Sequence, residues 1–171
     1  MIRSGASEVG DATIRLREVT REDAPNLFRW RMDPSSRGMF LNAEKVPYKT
    51  HVAFLLRYFQ AENTDRWFVI EAAGRPVGAI ALYGFSPEQT EAKWGRLVVA
   101  PEERTRGYGS RALALLLEHA RQIGVKRLTC EVAEGNAAAE HLYSRAGFVQ
   151  TGQEEVSGRV FRHLALELSA G

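Results

Sequence analysis

Apolar and polar residues follow one another along this chain in two periods, and the places where the period changes mark its elements. Ile14 and Leu16 share one face of a strand over Thr13–Glu18. Thr20 then has the character of an N-cap, with Glu22 and Asp23 in the first turn of a helix that carries Ala24, Leu27, Phe28 and Arg31 on one side. That helix should stop near Asp33, because Pro34 disfavours the helical region for its predecessor. A second helix fits Thr50–Phe59, with Val52, Leu55, Leu56 and Phe59 as its apolar positions. Trp67–Ile70 and Val77–Tyr83 are aromatic and β-branched runs joined by Ala73-Gly74-Arg75-Pro76, the pattern of a hairpin.

Glu91–Val99 is a third run of this kind, closed by Pro101. A helix from about Gly109 to Ile123 follows, with Leu113, Leu116, Leu117 and Ala120 on its apolar face and Gly124 as its stop. Arg127–Val132 is a strand, Asn136–Arg145 a helix, Gly147-Phe148 the start of another strand, and Val160–Leu168 the last. The order βααβββαβαββ predicts an α/β (α+β) fold: a mixed, mostly antiparallel sheet of about seven strands with about four helices packed on it. It is not a doubly wound nucleotide fold. Residues 1–12 are small and polar and are expected to be a loose tail before a single domain over 13–171.

Composition narrows the function classes. Lys and Arg number 23 against 21 Asp and Glu, a formal charge of +2, which argues against a nucleic-acid or membrane-surface protein. The single cysteine, Cys130, leaves no internal disulfide and no CxxC zinc pattern. The longest apolar run is Ala112–Leu117, far short of the ~20 residues that cross a bilayer. The first residues lack the apolar stretch of a signal peptide, so a reducing cytoplasm is the expected compartment.

The segment from Leu97 to Ser110 holds the most chemistry. A strand ends, a loop containing Arg104, Thr105, Arg106, Gly107, Tyr108 and Gly109 follows, and a helix begins. Such a loop aims backbone N–H groups and the positive end of a helix dipole at one point, where an anion can sit. The same residues also suit a basic surface turn. A P-loop would need Lys after its last glycine, but Gly109 is followed by Ser110 and Arg111. A dinucleotide loop would need a third glycine where Ala112 stands.

Glu131–Phe148 decides between these readings. Arg104-x-x-Gly107-x-Gly109 together with Asn136-x-x-Ala139-x-x-Leu142-Tyr143-x-x-x-Gly147-Phe148 resembles the GNAT family of acetyl-CoA-dependent N-acetyltransferases. The resemblance implies that acetyl-CoA is the co-substrate and that no metal takes part. It implies that the strand at Leu97, Val98 and Val99 exposes backbone groups to the pantetheine arm. An amide near Val98 would polarise the thioester carbonyl, and the amides of Thr105–Ser110 would receive the pyrophosphate. Asn136, a natural N-cap by position, would also touch CoA.

Tyr143 would protonate the departing thiolate. Glu131, whose spacing resembles that of the RimI-type ribosomal-protein acetyltransferases, would take the proton from the acceptor ammonium. Glu91 is the alternative base. Either carboxylate also suits a solvated strand edge, and Tyr143 a core position. Cys130 and the histidines His51, His119, His141 and His163 are expected to be structural or surface residues, with His51 the one candidate for the acceptor site. The resemblance places the acceptor region at about Trp30–Tyr58 and Gln153–Arg162. Arg29, Arg31 and Arg37 there are suited to a nucleotide phosphate or an acidic peptide. The expected partner is a small-molecule amine, best an amino sugar linked to a nucleotide, taken up by a monomer or homodimer. The alternatives are a protein N-terminus of ribosomal type, or a non-catalytic module that only binds acetyl-CoA.

Overall fold

A computed structural model of the chain describes residues 14–40 and 43–169. The expected tail over 1–12 and the strand start at Thr13 lie outside the described residues. The described elements are β1 (Ile14–Glu18), α1 (Ala24–Met32), α2 (Pro34–Arg37), α3 (Tyr48–Tyr58), β2 (Arg66–Ala72), β3 (Arg75–Tyr83), β4 (Glu91–Val99), α4 (Tyr108–Gln122), β5 (Arg127–Ala133), α5 (Ala137–Ala146), β6 (Val149–Val156) and β7 (Arg159–Glu167). Single 3-10 turns precede α1 and α4. The expected mixed, mostly antiparallel sheet is present, in the order β1-β2-β3-β4-β5-β7-β6, and only β4 and β5 run parallel.

Both faces of the sheet are covered. Phe68, Ile70, Ile80, Leu82 and Trp94 face α4 and α5, while Trp67, Val69, Ala79 and Ala81 face the side of α1 and α3. Central strands buried on both faces have no polar side to show, which is why β2 and β3 are continuously apolar in sequence. Ala73 and Gly74 turn the β2–β3 hairpin with φ of 49° and 76°, and Ser157 and Gly158 repeat this at β6–β7 with 52° and 74°. Positive φ at both central residues gives a turn whose twist matches that of the strands.

Three expectations about the helices need correction. Pro34 ends α1 as foreseen, but it also opens α2, because the Asp33 side chain accepts the Ser35 N–H at 2.9 Å and caps a new turn. On α1 Ala24 and Leu27 are buried as expected and Trp30, 1% exposed, joins them, whereas Phe28 and Arg31 are only half-buried. On α3 the inward pair is His51 and Leu55, and Leu56 is 46% exposed. His51 stacks with Tyr48 at 6.3 Å between ring centres and lies tilted against Phe28 at 5.5 Å.

Candidate active site

The site begins with a local irregularity in β4. Ala79 pairs with Val98 and Ala81 with Gly95, so three residues of β4 span two of β3. The extra residue is a β-bulge, and Arg96 within it adopts a φ of 52°. An extra residue inverts the alternation of every side chain beyond it. Before the bulge Ala92 and Trp94 face α4; after it Leu97 packs on that side and Val98 on the other.

The second irregularity separates β4 from β5. Their parallel pairing covers only Glu91–Lys93 against Arg127–Thr129, although β4 continues to Val99 and β5 to Ala133. Beyond Lys93 the strands diverge and open a cleft between them. The orientation of β4 follows from its contacts with β3. The Ala100 N–H donates to the Val77 carbonyl at 2.8 Å. A Cβ on Gly78 would lie 2.3 Å from the Val98 oxygen. Residues 98 and 100 thus direct their main chain at β3, and the alternation of a strand turns the peptide groups of Leu97 and Val99 toward the cleft. The Val98 peptide, near which a backbone donor was expected, therefore faces β3 rather than the cleft.

The cleft ends at the glycine loop. Thr105 and Gly107 have φ of 64° and 76°, and the first intrahelical bond of α4 runs from the Arg111 N–H to the Gly107 carbonyl at 3.2 Å. The amides of Tyr108, Gly109 and Ser110 precede that bond and have no carbonyl within the helix to reach. A Cβ on Gly107 would meet only Arg111 Nε, at 4.0 Å, so it is the positive φ rather than crowding that favours glycine there. The Arg111 guanidinium donates to the Arg106 carbonyl at 2.9 Å and braces the loop. Arg106 itself pairs with Glu103 at 3.3 Å. Arg104 is committed to protein atoms: it donates to Ser35 and Ser36 Oγ, each at 2.6 Å, and to the Val99 carbonyl at 3.3 Å.

Cleft and loop open into one cavity of about 710 Å³. Leu97, Val98, Val99, Arg104, Thr105, Gly107, Tyr108, Gly109, Ser110, Glu131, Asn136 and Tyr143 all line it. Asn136 caps α5, its side-chain oxygen accepting the Ala139 N–H at 3.3 Å. Tyr143 is 9% exposed and meets Trp94 edge-on with ring centres 4.9 Å apart. Burial pushes its phenol well above the ordinary value, so the hydroxyl keeps its proton. Cys130, pushed up to about 12 by burial, is an inert core thiol as expected.

Glu131 alternates against buried Cys130 and Val132 and accepts a hydrogen bond from Lys93 Nζ at 2.8 Å. That bond raises the Lys93 ammonium above its usual value. Glu91 is exposed, sits opposite Arg127 at the closed end of the β4–β5 pair, and is not among the residues that line the cavity. His51 is buried beside Phe28 and Tyr48 and is likewise not among the residues that line the cavity. Arg29 is paired with Glu102 at 2.9 Å.

Met39, Phe40 and Phe161, which fall within the expected acceptor region, line the cavity, but sequence reasoning missed Tyr83 and Arg96 beside them. Arg96 stands over the Tyr83 ring at 4.4 Å and pairs with Asp65 at 3.3 Å. A Cβ on Gly95 would lie 2.9 Å from the Tyr83 hydroxyl, so glycine lets that phenol rest on the bulge. The only signal in the sequence was Gly95 inside an otherwise regular strand. Among the described residues no cluster of three or more His, Cys, Asp or Glu could hold a metal.

A sheet that splits beside a glycine loop at a helix N-terminus defines an enzyme-like cleft for an extended ligand ending in phosphates. The comparisons agree on its class: residues 18–148 match the acetyltransferase (GNAT) family model, and the chain belongs to that family. It is 27% identical over 112 residues to a probable N-acetyltransferase, camello, of Xenopus tropicalis, covering 66% of this chain and 51% of that protein. It is 27% identical over 152 residues to an uncharacterized N-acetyltransferase of Methanocaldococcus jannaschii, covering 85% of this chain and 64% of that one. The chain thus spans about half to two thirds of the length of these relatives.

Among solved structures, spermidine N-acetyltransferase of Vibrio cholerae in complex with CoA and spermine superposes with a TM-score of 0.84 at 18% identity, covering 94% of this chain and 98% of that one. RimL, a ribosomal L7/L12 α-N-protein acetyltransferase in complex with coenzyme A, does so with 0.78 at 17% identity, covering 94% and 97%. At these identities the likeness is one of fold. Among the described residues no helix is long and apolar enough to cross a membrane.

Proposed function

We propose that this chain is an N-acetyltransferase that moves the acetyl group of acetyl-CoA to a primary amine within a ternary complex. The observation that carries this reading is the divergence of β4 from β5 after Lys93, in line with the glycine loop at the start of α4. A pantetheine arm carries amides and suits the peptide groups of Leu97 and Val99 as an added strand would. A pyrophosphate suits the amides of Tyr108–Ser110 and the positive end of α4.

The amine attacks the thioester carbon. The developing oxyanion takes hydrogen bonds from cleft-facing amides of β4, and the C–S bond breaks to release CoA thiolate. Tyr143 hands its proton to that sulfur, and the second proton that the nitrogen sheds on becoming an amide returns to the tyrosinate through water. Glu131, held in place by Lys93, accepts the proton of the incoming ammonium through water. The position of Glu131 on the cavity wall favours it over Glu91.

The acceptor is a small amine that also bears negative charge, with amino-sugar nucleotides the leading class. Both carboxylates on the cavity wall are already matched, Glu131 by Lys93 and Glu103 by Arg75 and Arg106. Arg31 and Arg145 line the same space, as do Arg96 and Arg104, whose guanidinium groups are held by Asp65 and by Ser35 and Ser36. Such a lining supports an anionic acceptor over a polyamine, which would need acids to meet its several ammonium groups. Calorimetry with acetyl-CoA, and thiol release across a panel of amino sugars, amino-sugar nucleotides, polyamines and peptide N-termini, test the reading in turn. Failure to bind acetyl-CoA overturns it. Binding without thiol release from any amine would instead mark a non-catalytic acetyl-CoA module.

A further inference from the structure

We infer that Arg104, although it stands in the glycine loop, is a positioning residue for the acceptor wall rather than a ligand of the CoA pyrophosphate. The inference rests on the acetyltransferase reading and departs from what the loop motif alone implies for this arginine. All three nitrogens of its guanidinium already donate to the protein: Nη1 to Ser35 Oγ at 2.6 Å, Nη2 to Ser36 Oγ at 2.6 Å and Nε to the Val99 carbonyl at 3.3 Å. The fork is planar, so turning it toward an anion in the loop would break these bonds together.

The receiving groups are equally committed. Ser36 is fully buried, and its hydroxyl would lose a charged donor. Ser35 accepts from Arg104 while its own hydroxyl lies on the Asp33 carboxylate that caps α2. The chain of contacts runs from the Asp33 cap through α2 to the end of β4.

The segment that Arg104 holds is part of the site. Ser36, Met39 and Phe40 line the cavity. Past α2 the same segment is tied to β7, where Arg159 donates to the Phe40 carbonyl at 3.1 Å and to the Gly38 carbonyl. A four-residue helix and a short loop have too little buried apolar surface to hold their own position. Two guanidinium groups, one at each end, suspend the wall against which the acceptor must lie. Arg104 is the one anchored beside the CoA loop, since Thr105 with its positive φ comes next in the chain. The order of that wall is thereby joined to the place where β4 ends.

The test separates a positioning role from phosphate binding. In Arg104→Ala, KM for a working amine should rise about tenfold or more, the scale of losing charge-assisted hydrogen bonds to two hydroxyls. The Kd of acetyl-CoA by calorimetry should stay within about twofold. Ser36→Ala should raise the same KM, and the double variant should be no worse than Arg104→Ala alone, because both remove one interaction. Arg104→Lys should recover little, since an ammonium cannot span both hydroxyls. Hydrogen exchange supplies a readout that needs no turnover: amides of 35–40 should lose protection in Arg104→Ala while those of α4 from Arg111 onward keep theirs. A tenfold loss of acetyl-CoA affinity with an unchanged acceptor KM overturns the inference. So does unaltered exchange over 35–40, or simple additivity of the two substitutions. A parent chain that does not bind acetyl-CoA would instead overturn the acetyltransferase reading, and the exchange experiment would still decide what Arg104 holds.

Discussion

Tyr143 shows what a single residue contributes and how it can be tested. Its ring is fixed between Trp94 and Phe148, and the buried phenol stays protonated. Tyr143→Phe removes a proton donor and little shape. The rate of acetyl transfer should fall roughly 10²–10⁴-fold, the usual contribution of general acid catalysis, with the Kd of acetyl-CoA nearly unchanged. Stopped-flow thiol release and calorimetry measure the two quantities separately, and lost affinity at an unaltered rate would make this a binding tyrosine. Glu131→Gln should slow transfer most at low pH, where little free amine exists, and the deficit should shrink as pH approaches the pKa of the amine. Glu91→Gln, on an exposed residue outside the cavity lining, should follow the parent at every pH. That Tyr143 and Glu131 line one cavity was legible in the sequence, because each stands at a spacing that resembles the family's motifs. Lys93, the partner of Glu131, was not legible, because 38 positions separate the two and only the parallel pairing of β4 with β5 brings them together.

Among the elements, β4 decides the shape of the site. Its bulge at Arg96 and its divergence after Lys93 expose the peptide groups that face the cleft. The strand depends on its tight approach to β3, where a Cβ on Gly78 would stand 2.3 Å from the Val98 oxygen. A backbone atom cannot rotate away, so Gly78→Ala must push β3 and β4 apart. About 1–3 kcal/mol of stability should be lost, read by urea denaturation, together with affinity for acetyl-CoA. Gly107 differs because the space around it is open and its φ of 76° is the constraint. Gly107→Val strains the N-terminus of α4 and places methyl groups where an anion would enter. Binding of acetyl-CoA should be abolished at about 1–2 kcal/mol cost in stability. Retained binding in that variant would show that the ligand enters elsewhere.

The whole molecule is tied together at β1 and β2 by an ion network away from the site. Arg15 and Arg17 both donate to Glu71, at 2.5 and 2.8 Å, and Arg17 also holds Asp23 by two bonds of 2.9 Å. Burial raises both carboxyls, but the arginine hydrogen bonds outweigh it and leave Glu71 and Asp23 below their ordinary values. Their stabilisation is present above the usual carboxylate range and is lost as pH falls through that range. His51 and His119 act at higher pH. Burial lowers both, so the folded chain holds them neutral while the unfolded chain takes up protons near 6.5. Stability should therefore be level from pH 8 to 7, decline below about 6.5, and fall more steeply below about 4.5. Thermal melts across that range test this, and His119→Gln should flatten the upper part of the decline.

The sequence by itself determined which segments became strands and helices, where the glycine loop lies and which family the chain belongs to. All of these depend on residues near one another in the chain, whose periodicity, caps and turns act locally. It placed Ala24, Leu27 and Leu55 inward correctly but missed Trp30 and His51 and passed over α2, because which side of a short helix is buried depends on what packs against it. Only the tertiary structure decided that Arg104 spends its guanidinium on Ser35 and Ser36, that the Val98 peptide faces β3, and that Tyr83 and Arg96 complete the cavity. Those outcomes depend on strand register, on one extra residue in β4 and on pairs far apart in sequence, and a local pattern does not encode them.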